Sequence, residues 1–237
     1  MSEMERCGAT SALDMGLPST TAVPAGMGRL PKEGFYRNMD VTAALRRRFV
    51  TEVESFVMLA QINERSTGIP AGRSVGNIFV LGIETKTDKP PTQVMEHIAR
   101  SYGERTNYQT RILFLCTFEG ECTLAVFRNA NVAAGLMEGQ IRTVEDVNFE
   151  QESILLDEHD LDRTWDAICA QVILDDANPE QVDRRIANAD RIRTLGKEID
   201  RLTKAHAKAR QIAKRNELWN QLQQARRQLA ILQSQDA

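Results

Sequence analysis

The sequence predicts an α+β protein: a mostly antiparallel sheet with helices packed on it, followed by a C-terminal antiparallel helical hairpin of coiled-coil-like character. Three observations predict it. Apolar runs at 77–85, 111–118 and 122–128, bounded by turn residues, read as strands. Stretches with apolar side chains three and four apart lie between and after them and read as helices. Beyond Pro179 there is no further proline and one glycine, Gly196, while apolar residues keep a heptad rhythm.

The elements follow in chain order. Residues 1–29 are rich in Gly, Ser, Thr, Ala, Pro and Met without an apolar period, and are expected to be a disordered N-terminal extension. Met27 stands just before Gly28-Arg29-Leu30-Pro31, which suggests that the first 26 residues are an upstream extension set by the choice of start codon. The rest divides into an α+β core at 30–177 and a basic helical hairpin at 178–237. Thr42 caps a helix over 43–50 with Leu45 and Phe49 on one face. Arg46, Arg47 and Arg48 point to different sides of that helix, so they form no compact phosphate clamp. Residues 54–62 read as a strand, and Gly68, Pro70, Gly72 and Gly76 as a loop. After the strand at 77–85, Pro90-Pro91-Thr92 opens a helix reaching Tyr102, with Val94 and Ile98 on its apolar stripe. The run 111–118 is almost wholly apolar and so central in the sheet, and Glu119-Gly120 turns it into 122–128. A fifth strand is expected near 153–156, then a helix over 160–174 carrying Leu161, Trp165, Ile168, Cys169 and Val172. Helices on one face of the sheet complete the expected core.

The C-terminal segment carries two seams. Ile192, Leu195, Ile199 and Leu202 form the first, and Leu218, Leu222, Ala225, Leu229 and Leu232 the second. Extending the first seam lands on Asn216, Asn220, Gln223 and Arg227, which cannot line an apolar stripe. A turn within 206–211 lets both stripes meet, so the segment is a hairpin and not one rod.

Composition narrows the function classes. Aromatics are 5% of the chain, which argues against the stacking platforms that hold single strands of nucleic acid. No stretch approaches the roughly 20 apolar residues of a membrane span, and no secretory signal is evident, so a cytoplasmic location is expected. Cys7, Cys116, Cys122 and Cys169 contain no CxxC pair and no histidine at zinc-ligand spacing, and are expected as reduced, half-buried thiols. A disulfide between Cys116 and Cys122 is geometrically conceivable across a hairpin. The net charge of −3 hides an asymmetry. Residues 138–183 carry fourteen acids against Arg142 and Arg163, a net of −12; residues 184–237 carry thirteen Lys or Arg against five acids, a net of +8. Either the two blocks neutralise each other, within the molecule or in a dimer, or the arm is a separate basic surface.

The best catalytic candidate is Glu84-Thr85-Lys86, at a strand end before a helix. Magnesium-dependent nucleases of the PD-(D/E)XK type place an acid-x-lysine triplet there, the acids holding the ion and the lysine orienting water. Such a site also needs an upstream acid on the preceding strand, for which Glu64 is nearest, with Gln93 or Glu96 as supplements. An acid and a lysine two apart at a strand end more commonly form an ordinary solvated edge. His97, His159 and His206 lie in three different segments, and a Cys116–His97 dyad would need a thiol that sits in an apolar strand. There is no phosphate-binding glycine loop. Asp157, Glu158, Asp160 and Asp162 lack the pattern of a calcium loop and read as a helix N-terminal cluster. No metal and no cofactor is expected.

The hairpin is the remaining surface. Leu218, Trp219, Leu222 and Leu229 are the candidates for binding a partner protein or a second copy. Arg201, Lys204, Lys208, Arg210, Lys214 and Arg215 are candidates for weak, salt-sensitive contact with nucleic acid, though a solvated charged face is the commoner meaning of such residues.

Leu30-Pro31-Lys32-Glu33, Phe35-Tyr36-Arg37-Asn38 and Thr42-Ala43-Ala44-Leu45 resemble the opening of a bacterial domain-of-unknown-function family, number four-three-nine-one. Residues 111–115 and the segment 208–218, with Asn216-Glu217-Leu218, are similar to its later landmarks. The likeness spans about 30–232; the N-terminal extension and the glycine-containing loop at 66–76 depart from it. The resemblance implies an accessory subunit of a restriction-modification or phage-defence system, whose partner would be a helicase or DNA methyltransferase. It supplies no catalytic residues, and it implies that the position of Glu84 is not dependably acidic.

Overall fold

The computed structural model describes residues 11–38, 41–107, 109–128, 140–145, 147–149 and 153–235. It divides into two compact units, Met1–Val182 and Asp183–Ala237. The first is built on a six-stranded sheet whose strands stand side by side in chain order. They are β1 (Arg29–Leu30), β2 (Val53–Ile62), β3 (Asn77–Thr85), β4 (Thr110–Phe118), β5 (Glu121–Arg128) and β6 (Gln140–Val144). Short helices α1 (Ala25–Gly28) and α2 (Lys32–Asn38) flank β1, and α3 (Ala43–Glu52) leads into β2. Then come α4 (Glu64–Thr67), α5 (Thr92–Arg105) and α6 (Leu161–Leu174). The second unit holds α7 (Val182–Lys208) and α8 (Ile212–Gln235).

Every neighbouring strand pair is antiparallel except β3 and β4, which run parallel. A parallel pair needs a long crossover, and α5 supplies it. The β4–β5 hairpin turns through Glu119 and Gly120, both at positive φ (47° and 100°), the left-handed pair that a tight two-residue turn requires. Thr42 Oγ1 accepts the Leu45 amide at 3.2 Å and starts α3. Asp160 does the same for α6, accepting the Arg163 amide at 2.8 Å.

Alternation along the strands sends side chains into two separate cores. Leu81, Ile83, Ile112, Phe114, Ala125 and Phe127 point to one face, where Phe35 of α2, Phe49 of α3 and Val94, Met95 and Ile98 of α5 cover them. Ile78, Val80, Leu113, Leu115, Leu124 and Val126 point to the other, under Leu161, Trp165, Ile168, Cys169 and Val172 of α6. Helices therefore cover both faces, and the expectation of one covered face is corrected. The physical sign was the near-continuous apolar run of β4, which marks a strand buried on both sides.

Two further expectations are corrected. From Ser11 onward the N-terminal segment is folded: Ala12, Met15 and Leu17 are buried in the core beneath α6, and Ala22 bridges to Ala60. Burying a side chain such as Met15 or Leu17 contributes roughly 1.5–3 kcal/mol, which offsets the cost of ordering an aperiodic stretch. Residues 1–10 of the expected extension lie outside the described residues. Residues 153–156 are not a strand. The Gln171 side-chain amide meets both the Leu155 amide and its carbonyl at 2.9 Å, and Ile154 donates to the Met15 carbonyl, so the backbone is held without a strand partner. The last strand is β6 instead, paired with β5 from Leu124↔Val144 to Arg128↔Gln140.

The glycine-containing loop at 66–76 is pinned to the start of α6. The Asp162 carboxylate accepts the Arg73 and Ser74 amides at 2.8 and 3.0 Å. A Cβ on Gly72 would collide with that carboxyl group, so the close approach depends on glycine there.

Candidate functional site

The second unit is a helical hairpin. Helices α7 and α8 are joined through Ala209-Arg210-Gln211, inside the window where the phase break of the two seams called for a turn. Leu202, Leu218, Leu222 and Ala225 are buried between the helices, with Leu195, Ile199, Ala205 and Ala209 packed around them. Heptad positions of each helix face the other, which is how the sequence pattern becomes the seam.

This placement sorts the four partner-binding candidates. Leu218 and Leu222 are 8% and 2% exposed and are used up in the hairpin's own seam. Leu229 is half-buried. Trp219, one residue and about 100° round the helix from Leu218, turns to solvent at 47% exposure. Its ring centroid lies 5.6 Å from that of His206 at the end of α7. Two apolar side chains not singled out from the sequence are also exposed, Ile212 at 69% and Ile231 at 57%. The signal that could have found them was their position outside the heptad seam. On the Ile231 side, Thr194 and Leu195 of α7 and Ile231 and Leu232 of α8 line a shallow, largely apolar groove of about 500 Å³.

The charges of the hairpin are partly paired. Arg201 binds Glu198, which holds that carboxyl below its ordinary range through hydrogen bonding and charge, and Lys214 binds Glu217 at 2.9 Å. Asp190 pairs with Arg193 at 3.2 Å. Among the described residues, Lys204, Lys208, Arg210 and Arg215 have no carboxylate within 4.0 Å, and neither do Arg226 and Arg227.

The triplet at the end of β3 has a different setting. Glu84 is exposed, and its Oε2 accepts the Ser55 hydroxyl at 2.9 Å across the β2–β3 pair. Lys86 Nζ sits 3.2 Å from Glu54 and donates to the Val50 carbonyl at 3.1 Å. Glu64, the expected upstream acid, is at the wrong end. It follows Ile62, which pairs with Ile78, whereas Glu84 lies beside the start of β2, about 20 Å away along the strand. Glu96 pairs with Arg100 at 2.8 Å on α5, which covers the face toward which Ile83 points; Glu84 alternates to the opposite face. Sequence reasoning missed Glu54, whose place beside Lys86 follows from the antiparallel pairing of β2 with β3. Among the described residues no group of three His, Cys, Asp or Glu side chains is placed to hold a metal ion.

The thiols are buried. Burial pushes the Cys116 thiol up to about 12, leaving it protonated and a poor nucleophile, with its sulfur 3.6 Å from that of Met95. Cys116 faces Thr123 and Cys122 faces Thr117 in the β4–β5 register, so the two cysteines point into opposite cores and no disulfide joins them. The acids before α6 are engaged as expected of a helix start: Asp160 caps, Asp162 holds the loop, and Asp157 binds the Arg163 guanidinium at 3.2 Å.

These features define an α+β unit, a mostly antiparallel sheet with helices on both faces, followed by a basic helical hairpin, the fold class that the sequence predicts. The chain belongs to the family described as Domain of unknown function (DUF4391), whose model matches residues 15–229. No curated protein and no solved structure matches it. The match begins at Met15, within the segment that packs beneath α6. No helix among the described residues is long and apolar enough to cross a membrane.

Proposed function

We propose that this chain is a non-catalytic interaction protein whose C-terminal hairpin docks a larger partner. The observation that carries the reading is the exposure of Ile212, Trp219 and Ile231 on helices whose own seam is already filled by other residues. Exposed large apolar side chains outside the seam, one of them tryptophan, suit contact with another protein. The family resemblance points to the kind of partner, a helicase or DNA methyltransferase of a cytoplasmic restriction-modification or defence system. The nuclease reading of Glu84 and Lys86 rests on the triplet alone, since Glu84 is held by a serine hydroxyl and Lys86 by Glu54.

The test is affinity purification of the tagged full chain from its native host, beside a Trp219→Ser, Ile231→Ser double variant. Neither residue belongs to the buried seam, so the variant keeps its helical circular dichroism. The expected result is a stoichiometric co-purifying protein that the variant loses. Equal recovery by both chains would remove the hairpin as the interface.

A further inference from the structure

We propose that one stripe of α8, formed by Ile212, Arg215, Trp219 and Arg226, docks an acidic amphipathic helix of a protein partner. The inference rests on the docking reading above and adds which face is used and what chemistry meets it. The four residues are spaced by three, four and seven positions, which places them along one side of a helix. That side adjoins the seam without belonging to it: Leu218 and Leu222 are buried while Trp219 between them is not.

The stripe alternates apolar and cationic groups. Ile212 and Trp219 offer apolar surface, and the indole N–H of an exposed tryptophan remains available to a polar partner. Arg215 and Arg226 are exposed, and among the described residues no carboxylate lies within 4.0 Å of either. The described acids after Asp183 that form ion pairs in this unit, Asp190, Glu198 and Glu217, do so with Arg193, Arg201 and Lys214. At 1.5 Å per residue, the eleven positions from Arg215 to Arg226 set the two guanidinium stems about 16 Å apart along the axis. An occupant that meets both needs carboxylates at about that separation with apolar side chains between them. A helix with acidic flanks and apolar residues at i, i+3, i+4 and i+7 supplies this.

Charge and chemistry weigh against the other occupants. A second copy would bring another hairpin whose residues 184–237 carry a net of +8 against the first, and its acidic block at 138–183 offers no free amphipathic helix among the described residues, since α6 buries its apolar face in its own core. Nucleic acid would satisfy the arginines but offer nothing apolar to Ile212, and Trp219 is the sole Phe, Trp or Tyr of the unit, where single strands need several stacking surfaces.

The experiment replaces Trp219 with p-benzoylphenylalanine in the full chain, expressed in the native host, with Ile231→p-benzoylphenylalanine as a companion. After irradiation, the adducts are mapped by mass spectrometry. The expected adduct from position 219 falls in a protein segment of net negative charge with helical apolar spacing. Its yield should drop about tenfold when Arg215→Glu and Arg226→Glu are combined, because both carboxylate contacts become repulsive. An adduct with a second copy, with nucleic acid or with a segment lacking acidic residues overturns the proposal, as does a yield indifferent to the charge reversal. Adducts from position 231 but none from 219 would also overturn it while leaving the docking reading standing. Adducts from neither position would remove both.

Discussion

Leu222→Ala tests whether the hairpin holds together through its own seam. Leu222 is 2% exposed and is one of three leucines buried between α7 and α8. Truncating a buried leucine to alanine costs roughly 2–5 kcal/mol, depending on how far the site collapses. A two-helix seam is open at both flanks and can partly close over the gap, which favours the lower half, about 2–3 kcal/mol. Helices of 27 and 24 residues have little stability without a packed face, so the loss should appear as unfolding of the whole hairpin. For a unit of this size each kcal/mol moves the midpoint by roughly 4–8 °C, so the hairpin transition should fall by about 10–20 °C. The assay uses two probes in a Trp219→Phe background. Circular dichroism at 222 nm follows total helix, and the fluorescence of Trp165, buried beneath the sheet, follows the α/β unit. The dichroism transition should move and the fluorescence transition should stay. If both shift together, the two units do not melt separately and the reasoning fails; if neither shifts, the seam contributes nothing.

Other outcomes follow from the α/β unit. Gly72→Ala should displace the loop from Asp162, lose both amide contacts and cost about 2 kcal/mol in urea denaturation. Met15→Ala should cost about 2–5 kcal/mol although it lies in a stretch without secondary-structure signals, and a chain begun at Met27 should be more damaged still. Cys116 stays protonated in the folded chain up to about 12, whereas an ordinary thiol ionises near 9.0. Because the folded value is the raised one, its contribution to stability is complete below pH 9 and declines between about 9 and 12; Cys116→Val should flatten that decline in alkaline titrations of the urea midpoint. Peptide mapping after iodoacetamide treatment at pH 8 should find Cys116, Cys122 and Cys169 unmodified until the protein is unfolded, since all three are buried.

Periodicity made most of this architecture readable. The strand at 77–85, the helix opened by Pro90-Pro91-Thr92, the capped helix after Asp160 and the turn between α7 and α8 all carried a period or a cap. What lacked a period was missed. Ala12, Met15 and Leu17 bury themselves at irregular spacing, so nothing local distinguishes them from a disordered tail. Residues 153–156 look like a strand because they are extended and apolar, but their backbone groups go to Gln171 and Met15. In the candidate surface, the heptads identified the seam but not what covers it, because an apolar stripe is the same whether its own chain or a partner covers it; Leu218 and Leu222 pack inside the hairpin. Exposure separated Trp219 and Ile231 from that stripe. Glu54 escaped notice because strand register, not distance along the chain, brings it to Lys86.

The position of Met15 and Leu17 beneath α6 also sets an order of assembly on the ribosome. The core around Phe49, Phe56, Ile98 and Phe114 takes its buried residues from no further than Phe127, with Ile141 packed against it, so it can close while the chain is still being made. The opposite core cannot, because Ala12, Met15 and Leu17 pack in one core with Ile154, Trp165 and Val172, which emerge much later. At 5–20 residues per second, those N-terminal side chains wait for roughly ten seconds or more with their apolar surface uncovered. The nascent chain is thus half-finished with an uncovered apolar segment, which is the interval in which a chaperone would find it.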